Sequence, residues 1–446
     1  MNLKEKVQKA GVVGAGGAGF PTHVKIDAQV EYVIANGAEC EPLIHKDGEL
    51  MERFAEKVVE GLKLVMEATK ASYGIIGIKE KKARAVEALR QAIAGTEIKI
   101  HLLDDYYPAG DEVMLVYEVT GKLIPPAGIP LHIGIVVNNV ESLYNIANAT
   151  QNIPVISKFL TVTGNVKQPM SFIAPVGISL KEAIEIAGGP TIGKYAVLTD
   201  GPMMGSLEPN LDAPITKTMS GVIVLPAEHH LVERKSRPAD VMTTIGKSAC
   251  DQCRFCTDRC HRYLLGYDVQ PHNVMRSLGY SASDADYWRK WGYLCCECGL
   301  CSLYSCPEEL YPKEACRTSR QILREKGIQW KGEVPPTPHI MQEYRRTPLQ
   351  QLVKHLGLTE YDQPAPFVAI DYSPQQVRLP LSQHIGVPAE PVIRVGDKVK
   401  KGQVIAEIPR GKLSARIHAS IDGTITNIDS EIVCVKRETE SFLKLA

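Results

Sequence analysis

Residues 250–260 read CDQCRFCTDRC, which places four cysteines at the spacing Cys-x2-Cys-x2-Cys-x3-Cys. This spacing lets three thiolates on one tight loop wrap a [4Fe–4S] cluster, while the fourth usually serves a second cluster. A second run contains Cys295, Cys298 and Cys301, and then Cys306 with four residues instead of three before it. The two runs therefore predict two [4Fe–4S] clusters.

The fourth ligands are expected to be exchanged between the two runs, as the spacing of such paired runs implies. The predicted ligand sets are Cys250, Cys253, Cys256 and Cys306 for one cluster and Cys295, Cys298, Cys301 and Cys260 for the other. Spacing favours Cys295 over the adjacent Cys296, and the inserted residue leaves Cys316 as an alternative to Cys306. Zinc is the other metal to consider, although zinc sites normally use paired Cys-x2-Cys hooks.

The cysteines are strongly clustered in the chain. Ten of the twelve lie between Cys250 and Cys316, and only Cys40 and Cys434 fall outside. Scattered disulfides do not give this pattern, and reducing thiol pools keep disulfides open inside cells. We therefore expect metal ligation in an intracellular protein.

Composition excludes several classes of protein. The 446 residues contain 51 Lys plus Arg and 51 Asp plus Glu, so no strong global field draws the chain to nucleic acid or an anionic membrane. The first ten residues lack the apolar core of a signal peptide, and no run of about 18 apolar residues occurs. We expect a cytoplasmic protein with no transmembrane segment and no nucleic-acid partner.

Two further regions show different periodicities. From Gly11 to Thr150, Val- and Ile-rich runs alternate with amphipathic helical stretches, which predicts an α/β layer fold. From Pro364 to Leu445, short strands separated by Gly and Asp turns form two similar halves. That pattern predicts an all-β sandwich of the lipoyl or biotinyl kind.

A glycine loop opens the first region. Gly14, Gly16 and Gly19 match G-x-G-x-x-G after the short apolar run Val12-Val13. Such glycines let backbone N–H groups approach a phosphate. A lone match is weak, and a flexible turn is the alternative interpretation.

Four ordered motifs add to the glycine loop: GAGGAGFPTHVK from Gly14, NGAECEP from Asn36, YPAGDE from Tyr107 and VVNNVES from Val136. They resemble the flavin- and NADH-binding subunit of respiratory complex I and, more closely, the C subunit of Rnf-type electron-transport complexes. The resemblance implies an FMN pocket and an NADH site. Its implied cofactor-binding residues are Gly14, Gly16, Gly17, Gly19, Phe20, Lys25, Asn36, Glu39, Glu41, Tyr107, Gly110, Asp111, Glu112, Asn138 and Asn139.

Within that set, the resemblance gives each group a task. Gly14, Gly16 and Lys25 would hold the flavin phosphate and ribityl chain, and the asparagines, Tyr107 and Gly110 would complete the pocket. Phe20 and the four carboxylates would lie near the flavin edge and the nicotinamide nucleotide. Without the neighbouring motifs, Glu39, Glu41, Asp111 and Glu112 read as solvated loop charges. The flavin ring carries the chemistry, so no catalytic protein residue is predicted.

The middle and the end of the chain carry further resemblances. FLTVTGNVKQPMSF from Phe159, followed by a helical stretch and Ala187-Gly188-Gly189-Pro190, resembles a soluble-ligand-binding β-grasp module. PLSQHIGVPAEPVIRVGDKVKKGQ and HASIDGTITNI resemble the barrel-sandwich domain of the Rnf C subunit, where that domain comes first rather than last. The order found here resembles the corrinoid (cobalamin) reductases of propanediol-utilisation bacterial microcompartments.

The predicted organisation is therefore an α/β FMN- and NADH-binding domain, a β-grasp (α+β) module, a ferredoxin-like two-cluster region, a linker and an all-β barrel-sandwich hybrid domain. The predicted boundaries are 1–155, 156–235, 236–333, 334–363 and 364–446 in that order. Pro335, Pro336, Pro338 and Pro348 place the linker, because such a stretch does not sustain a helix or a central strand.

The resemblance implies a function as well. NADH would reduce FMN, and the electrons would pass through two [4Fe–4S] clusters to a corrinoid serving a B12-dependent diol dehydratase. The implied partners are a corrinoid or corrinoid-dependent enzyme, a cobalamin adenosyltransferase and microcompartment shell proteins, inside a bacterial microcompartment. A corrinoid would be a further bound ligand.

Two alternatives stay open on sequence grounds. One is an electron donor to an amino-acid reductase or a component of an Rnf-like complex. The other is a non-catalytic scaffold whose cysteines hold zinc and whose glycine loop is empty. A brown protein that takes up flavin distinguishes the electron-transfer interpretations from the scaffold.

Overall fold

The alternating apolar runs of the first region form a parallel sheet in the computed structural model, which describes residues 1–279, 285–332, 336–437 and 442–445. The strand order is β3-β2-β1-β5, and all three pairings are parallel. The elements of this α/β part are α1 (Leu3–Lys9), α2 (Thr22–Lys25), β1 (Tyr32–Gly37), α3 (Lys46–Arg53), α4 (Ala55–Thr69), β2 (Tyr73–Lys79), α5 (Ala83–Ala92), β3 (Lys99–Leu103), β4 (Tyr106–Tyr107), α6 (Glu112–Thr120), β5 (Ile135–Asn139) and α7 (Val140–Thr150).

A break at Phe54 separates α3 from α4, where the periodicity predicts one helix from Met51 to Lys70. Phe54 has φ −129° and ψ 33°, outside the helical region. Its ring makes edge contacts with Tyr144 at 5.4 Å and Phe159 at 5.6 Å between centroids. Aromatic packing at this position therefore redirects the chain.

The next part of the chain forms a mixed five-stranded sheet of order β7-β6-β10-β8-β9. The pairing of β6 with β10 is parallel, and the other three pairings of the sheet are antiparallel. Ser179 and Glu182 form a capping box at the start of the helix that packs in this core. The elements are β6 (Ser157–Gly164), β7 (Met170–Pro175), α8 (Leu180–Ile186), β8 (Tyr195–Thr199), β9 (Ser206–Leu207) and β10 (Gly221–Pro226).

The cysteine region is built from short helices and tight turns. Its α-helices are α9 (His230–Ser236), α10 (Ala239–Ala249), α11 (Phe255–Asp258), α12 (His261–Leu264), α13 (Pro271–Ser277), α14 (Ala285–Arg289) and α15 (Pro312–Glu325). A π-helical turn, Cys301–Ser305, joins the last two cysteines of the second run.

The segment predicted as a linker, 334–363, is packed over most of its described part. Its residues 334 and 335 lie outside the described residues. Strand β11 (Thr347–Pro348) pairs antiparallel with β4, and helix α16 (Leu349–His355) follows at once. Leu352 is fully buried in a core shared with Leu198 and Tyr107. Pro348 lies directly before the first residue of α16, a position where proline is compatible with a helix. The prolines therefore prevent regular secondary structure only in the first half of this segment.

The C-terminal part is all-β, in agreement with its turn-punctuated sequence. Its sheets have the orders β13-β19-β18-β15, β14-β16-β17 and β12-β20. The strands are β12 (Ile370–Ser373), β13 (Gln376–Pro380), β14 (Glu390–Pro391), β15 (Lys398–Val399), β16 (Val404–Glu407), β17 (Ile417–His418), β18 (Gly423–Ile428), β19 (Ile432–Lys436) and β20 (Phe442–Leu445).

The C-terminal sheets and the mixed sheet share one hydrophobic core. Leu160 and Phe172 of the mixed sheet belong to the same buried cluster as Leu379, Ile405 and Ile425. Two regions predicted as separate domains therefore bury their apolar faces against each other. Among the described residues, no helix has the length and apolarity needed to span a membrane.

Candidate functional site

The carboxyl ends of β1 and β5 meet where the strand order of the parallel sheet changes direction. The chain runs from β1 outward to β2 and β3, and then returns to the opposite side of β1 as β5. Ligands of open α/β sheets bind at such a switch point. The register places Asn36 opposite Asn139 and Ala35 opposite Asn138. Three predicted flavin-binding residues therefore converge there.

The asparagines at the switch point differ in their hydrogen bonding. The Nδ2 of Asn36 donates to the carbonyl oxygen of Gly110 at 3.0 Å, and its Oδ1 accepts from the N–H of Ala38 at 3.2 Å. Asn138 is 4% exposed, and its Nδ2 has no partner among the described residues. A buried amide without an acceptor is costly, so a ligand atom is expected there.

The predicted glycine loop lies beside this switch point and is closed by its own backbone. The N–H of Gly14 donates to the carbonyl of Phe20 at 3.0 Å, and the N–H of Ala15 donates to Oγ of Ser142 on α7 at 2.9 Å. Gly16 packs so closely on Asn139 that a Cβ would lie 2.7 Å from Nδ2, whereas Gly17 faces open space. The loop thus presents exposed backbone next to the N-terminus of α7.

The far side of the loop contacts the C-terminal part. Gly19 has φ +73°, and a Cβ there would lie 2.8 Å from the Thr218 side chain and 3.1 Å from the Gln383 carbonyl oxygen. Position 19 therefore requires glycine for both conformation and space.

A buried charge network that the sequence did not reveal lies beneath the loop. Lys46 contacts Asp47 at 2.6 Å and Glu141 at 2.8 Å, and Lys158 contacts Glu141 at 2.5 Å. Asp47 also accepts from the Nδ2 of Asn139 at 2.8 Å, so the network fixes this asparagine. Burial lowers the pKa of Lys158 to about 8, against the attraction of Glu141. Because Lys46 and Glu141 lie 95 residues apart, no spacing in the sequence connects them.

Lys25 and Glu112, both predicted to face the flavin or nucleotide, form an ion pair with 3.4 Å between Nζ and Oε1. Their side chains are 31% and 41% exposed. A weak, solvated ion pair of this kind exchanges easily for a bound phosphate or hydroxyl group. Phe20 is half-buried at the end of the glycine loop.

Glu39 and Glu41 are engaged within the protein. Glu39 accepts from the N–H of Asp47 at 2.6 Å and from Lys82 at 2.9 Å, so it caps the start of α3. Glu41 accepts from the N–H groups of Met203 and Met204 at 3.0 and 2.8 Å. Burial raises the pKa of Glu41 to about 7, against these donors. Both carboxylates hold neighbouring segments in place.

Tyr107 and Asp111 point toward the cysteine region. The hydroxyl of Tyr107 donates to the carbonyl oxygen of Cys298 at 2.6 Å. Asp111 accepts from Arg262 at 2.7 Å and lies 3.4 Å from Nε2 of His261. Although burial opposes ionisation, Arg262 and His261 hold the pKa of Asp111 well below its usual range. These two predicted flavin-site residues therefore join the α/β part to the cysteines.

The first cysteine site comprises Cys250, Cys253, Cys256 and Cys306, which line one cavity together. The other lining residues include His272, Met275 and Leu310. Cys253 is exposed, and Cys256 is buried. Burial raises the pKa of the Cys256 thiol well above its usual range, so a cation is needed to hold this thiolate.

The second cysteine site comprises Cys260, Cys295, Cys298 and Cys301, which line a separate cavity with Cys296. Burial raises the pKa of the Cys260 thiol to about 12. The N–H of Glu297 donates to Sγ of Cys295 at 3.3 Å. Four converging thiols at each site are the soft donor set that iron–sulfur clusters and zinc prefer.

The backbone shows that Cys295 is the equivalent of Cys250. Gln252 and Arg254, which flank Cys253, have φ +61° and +70°. Glu297 and Gly299, which flank Cys298, have φ +61° and +84°. Three of these four residues are not glycine, so the loop shape common to both runs imposes backbone strain at these positions. The spacing argument for Cys295 over Cys296 agrees with this geometry.

Two more cysteines and a histidine surround the second site. Sγ of Cys296 lies 3.5 Å from Nε2 of His261, and Sγ of Cys298 lies 3.7 Å from Nδ1 of the same ring. Cys316 is fully buried against Gly292. A hydrogen bond with Cys295 and burial raise the pKa of the Cys316 thiol well above its usual range. The structure thus places Cys306 on the first cavity and Cys316 near the second site. The sequence signal for His261 was its position directly after Cys260, where ferredoxin runs usually carry proline.

Comparison with protein families gives four matches along the chain. The Nuo51 FMN-binding domain matches residues 7–148, and the SLBB domain matches residues 159–206. The 4Fe-4S dicluster domain matches residues 249–311, and the RnfC barrel sandwich hybrid domain matches residues 365–443. These confirm the predicted FMN-binding, iron–sulfur and barrel-sandwich parts, while the names β-grasp and ferredoxin-like stay predictions.

Two relatives match nearly the whole chain. Cobalamin reductase PduS of Citrobacter freundii is 40% identical over 436 residues, covering 98% of this chain and 96% of the relative. Cobalamin reductase PduS of Salmonella typhimurium gives the same values. The chain belongs to the cobalamin reductase family. Its place in that family makes it a flavin- and iron–sulfur-type oxidoreductase.

A more distant relative matches only part of this chain. The C subunit of the proton-translocating ferredoxin:NAD(+) oxidoreductase complex of Clostridium ljungdahlii is 34% identical over 264 residues. That match covers 58% of this chain and 55% of the relative. The predicted resemblance to Rnf-type C subunits is therefore confirmed.

Proposed function

We propose that this protein passes electrons from NADH through FMN and two [4Fe–4S] clusters to a corrinoid. FMN, when bound, accepts a hydride and releases electrons singly, which links a two-electron donor to one-electron carriers. The observation that carries the proposal is the contact of the flavin-domain residues Tyr107 and Asp111 with the second cysteine site. A zinc scaffold with an empty glycine loop has no need of that connection.

The residues at the switch point fit a flavin. The Nδ2 of Asn138, which has no partner within the described part of the chain, and the open space at Gly17 both lie beside the carboxyl ends of the strands. We assign the phosphate to the exposed backbone around Gly16 and to Lys25, since glycine amides and a lysine suit an anion. Glu39 and Tyr107 act behind the pocket, because their polar atoms are already bonded within the protein.

The nicotinamide nucleotide has fewer groups to bind it than the sequence motifs suggest. Glu112 is the predicted carboxylate with the most exposed position, whereas Glu39, Glu41 and Asp111 are engaged in hydrogen bonds or ion pairs of their own. We assign the contact with ribose hydroxyls to Glu112 and the stacking contact to Phe20. Binding of NADH at the mouth of the pocket then excludes water from the flavin edge.

Each cysteine site fits a [4Fe–4S] cluster. The ligands we propose are Cys250, Cys253, Cys256 and Cys306 for one cluster and Cys260, Cys295, Cys298 and Cys301 for the other. Four thiols line the first cavity and five, with Cys296, line the second, and both loops share the same left-handed positions. The match to a dicluster domain supports two clusters rather than one.

The corrinoid acceptor is proposed because the near-full-length relatives are cobalamin reductases. The resemblance to propanediol-utilisation proteins extends the proposal to a cobalamin adenosyltransferase, a corrinoid-dependent enzyme and shell proteins as partners. The proposed location is the cytoplasm, inside a bacterial microcompartment. The domain boundaries predicted from the sequence, with the linker shortened to the residues before β11, complete this proposal.

The proposal is tested by anaerobic titration with NADH after analysis of iron, acid-labile sulfide and flavin. We expect roughly eight irons and one FMN per chain, flavin bleaching by NADH, and reduction of added hydroxocobalamin. Cys253→Ala should lose one cluster and corrinoid reduction while keeping flavin bleaching. Cys434→Ala, which changes a cysteine of β19 outside both sites, is the matched control. Protein with neither sulfide nor flavin uptake contradicts the proposal.

A further inference from the structure

We infer that the two cysteine sites act in a fixed order: electrons reach the second site from the flavin pocket and leave through the first site. This inference rests on the proposed function and adds the direction of flow within it. It follows from which parts of the chain contact each site.

One connection runs from the flavin pocket through Asn36 to the second site. Asn36 at the switch point donates to the carbonyl of Gly110, and the next residue, Asp111, contacts His261 at 3.4 Å. The ring of His261 lies 3.7 Å from Sγ of Cys298. The side chains of Asp111 and His261 are only 11% and 5% exposed, so this end of the connection is shielded from water.

A second connection starts from β4. Tyr107 is 1% exposed, and its hydroxyl donates to the carbonyl oxygen of Cys298 at 2.6 Å. Cys40, next to Glu39 and Glu41, accepts from the N–H of Gly110 at 3.3 Å and packs in the same core as Cys260 and Cys295. Two contacts of the α/β part, one direct from Tyr107 and one from Asp111 through His261, therefore end on Cys298 of the second site.

The first site is surrounded differently. The lining of both cavities lies within the cysteine region, between Cys250 and Pro312 for the first and between Cys260 and Lys313 for the second, so the two sites differ in exposure. Cys253 is exposed, the side chain of Phe255 is 52% exposed, and that of Arg254 is 50% exposed. This cavity thus opens on a surface with an aromatic ring and a cationic side chain, suited to an external acceptor.

The two sites are linked through short stretches of chain. Cys260 of the second site follows Cys256 of the first by four residues, and the turn Cys301–Ser305 leads directly to Cys306. Each NADH gives up two electrons and leaves NAD+, with its proton released to solvent. Two corrinoids in the Co(III) state each take one electron to reach Co(II). The two electrons of one NADH therefore follow the same route one after the other.

The order is tested by electron paramagnetic resonance of two variants reduced with NADH. In Cys253→Ala, the cluster of the second site should still be reduced, while corrinoid reduction is lost. In Cys298→Ala, the flavin should still be bleached, while the cluster of the first site stays oxidised. The reverse pattern overturns the inference. Unmodified protein in which NADH reduces neither cluster contradicts the proposed function instead.

Rapid freezing of the unmodified protein keeps the test decisive if Cys298→Ala fails to assemble. The signal assigned to the second site through Cys253→Ala should form before the other signal. Tyr107→Phe, which removes the hydroxyl that donates to the carbonyl oxygen of Cys298, should slow reduction of the second-site cluster several-fold in the same time course. Formation of the first-site signal ahead of the second-site signal overturns the order.

Discussion

Gly16 and Gly17 are adjacent in the chain but have different surroundings. A Cβ at Gly16 would lie 2.7 Å from Nδ2 of Asn139, which also donates to Asp47, whereas a Cβ at Gly17 would meet no atom of the residues that the structure describes within 4 Å. The first glycine is therefore required for packing within the protein. The second leaves room for a ligand.

This difference gives matched substitutions. Gly16→Ala should destabilise the fold by about 1 to 3 kcal/mol, because overpacking pushes Asn139 from its partner. Gly17→Ala should leave the free energy of unfolding nearly unchanged and weaken FMN binding. Denaturant unfolding of the flavin-free protein and flavin fluorescence titration measure the two effects. Equal losses of stability in both variants would show that the loop is uniformly packed.

Glu41 predicts a pH dependence of stability. Burial raises its pKa to about 7, so the folded state holds a proton that the unfolded state releases near pH 4.5. The folded state therefore loses stability relative to Glu41→Gln as the pH rises from about 4.5 to about 7. The melting temperature of Glu41→Gln minus that of the unmodified protein should therefore increase as the pH rises through this window.

The control for Glu41 is Glu56→Gln on the exposed face of α4, which tests for a general charge effect. Both variants are measured at matched cofactor content. A difference in melting temperature that stays constant from pH 5 to pH 7 would rule out an unusual carboxyl at position 41.

At the scale of elements, helix α12 begins at His261, where ferredoxin runs usually carry proline. Proline is tolerated at the first position of a helix, so His261→Pro should fold. The substitution removes the ring that lies near the thiols of Cys296 and Cys298. Loss of hydrogen bonds to cluster sulfur lowers a reduction potential.

We therefore expect His261→Pro to lower the potential of the second-site cluster by tens of millivolts, where about 59 mV corresponds to a tenfold change for one electron. A redox titration followed by electron paramagnetic resonance measures it. The cluster of the first site serves as the internal control and should keep its potential. Equal shifts of both clusters would indicate a general change in structure rather than a lost contact.

The sequence predicted the elements whose signals are local. Cysteine spacing placed Cys306 in the first set, and periodicity predicted amphipathic helices in the first region, of which α4 buries Val58, Leu62 and Val65. It did not reveal the task of Glu39, because its partner Lys82 lies 43 residues away. Tyr107 was expected in the flavin pocket, but its partner Cys298 is 191 residues distant. Contacts of this kind leave no periodic or spacing signal in the chain.

At the scale of the whole molecule, the boundaries suggested by composition do not coincide with independent cores. Leu160 of β6 and Leu379 of β13 are buried in one cluster. Lys217, between these parts, donates to the carbonyl oxygens of Gly11 at 2.9 Å and Arg416 at 2.8 Å. One side chain thus links three regions that the sequence separates.

A shared core predicts shared unfolding. Leu379→Ala and Leu160→Ala should each lower the free energy of unfolding by about 2 to 5 kcal/mol. Both should shift the same calorimetric transition to lower temperature. Val392→Ala, which truncates a side chain that is 55% exposed, is the control and should have little effect. Two separate transitions, with Leu379→Ala moving only one of them, would show that the C-terminal sheets fold alone.

The contact of Gly19 with Thr218 and Gln383 bears on how this protein can be dissected. Residues from two later parts of the chain pack against the far side of the glycine loop, so shortened versions that keep only the flavin domain would expose that side of the loop to water. Flavin reduction is then better separated from the later electron transfer by single substitutions of the cysteines than by truncation of the polypeptide.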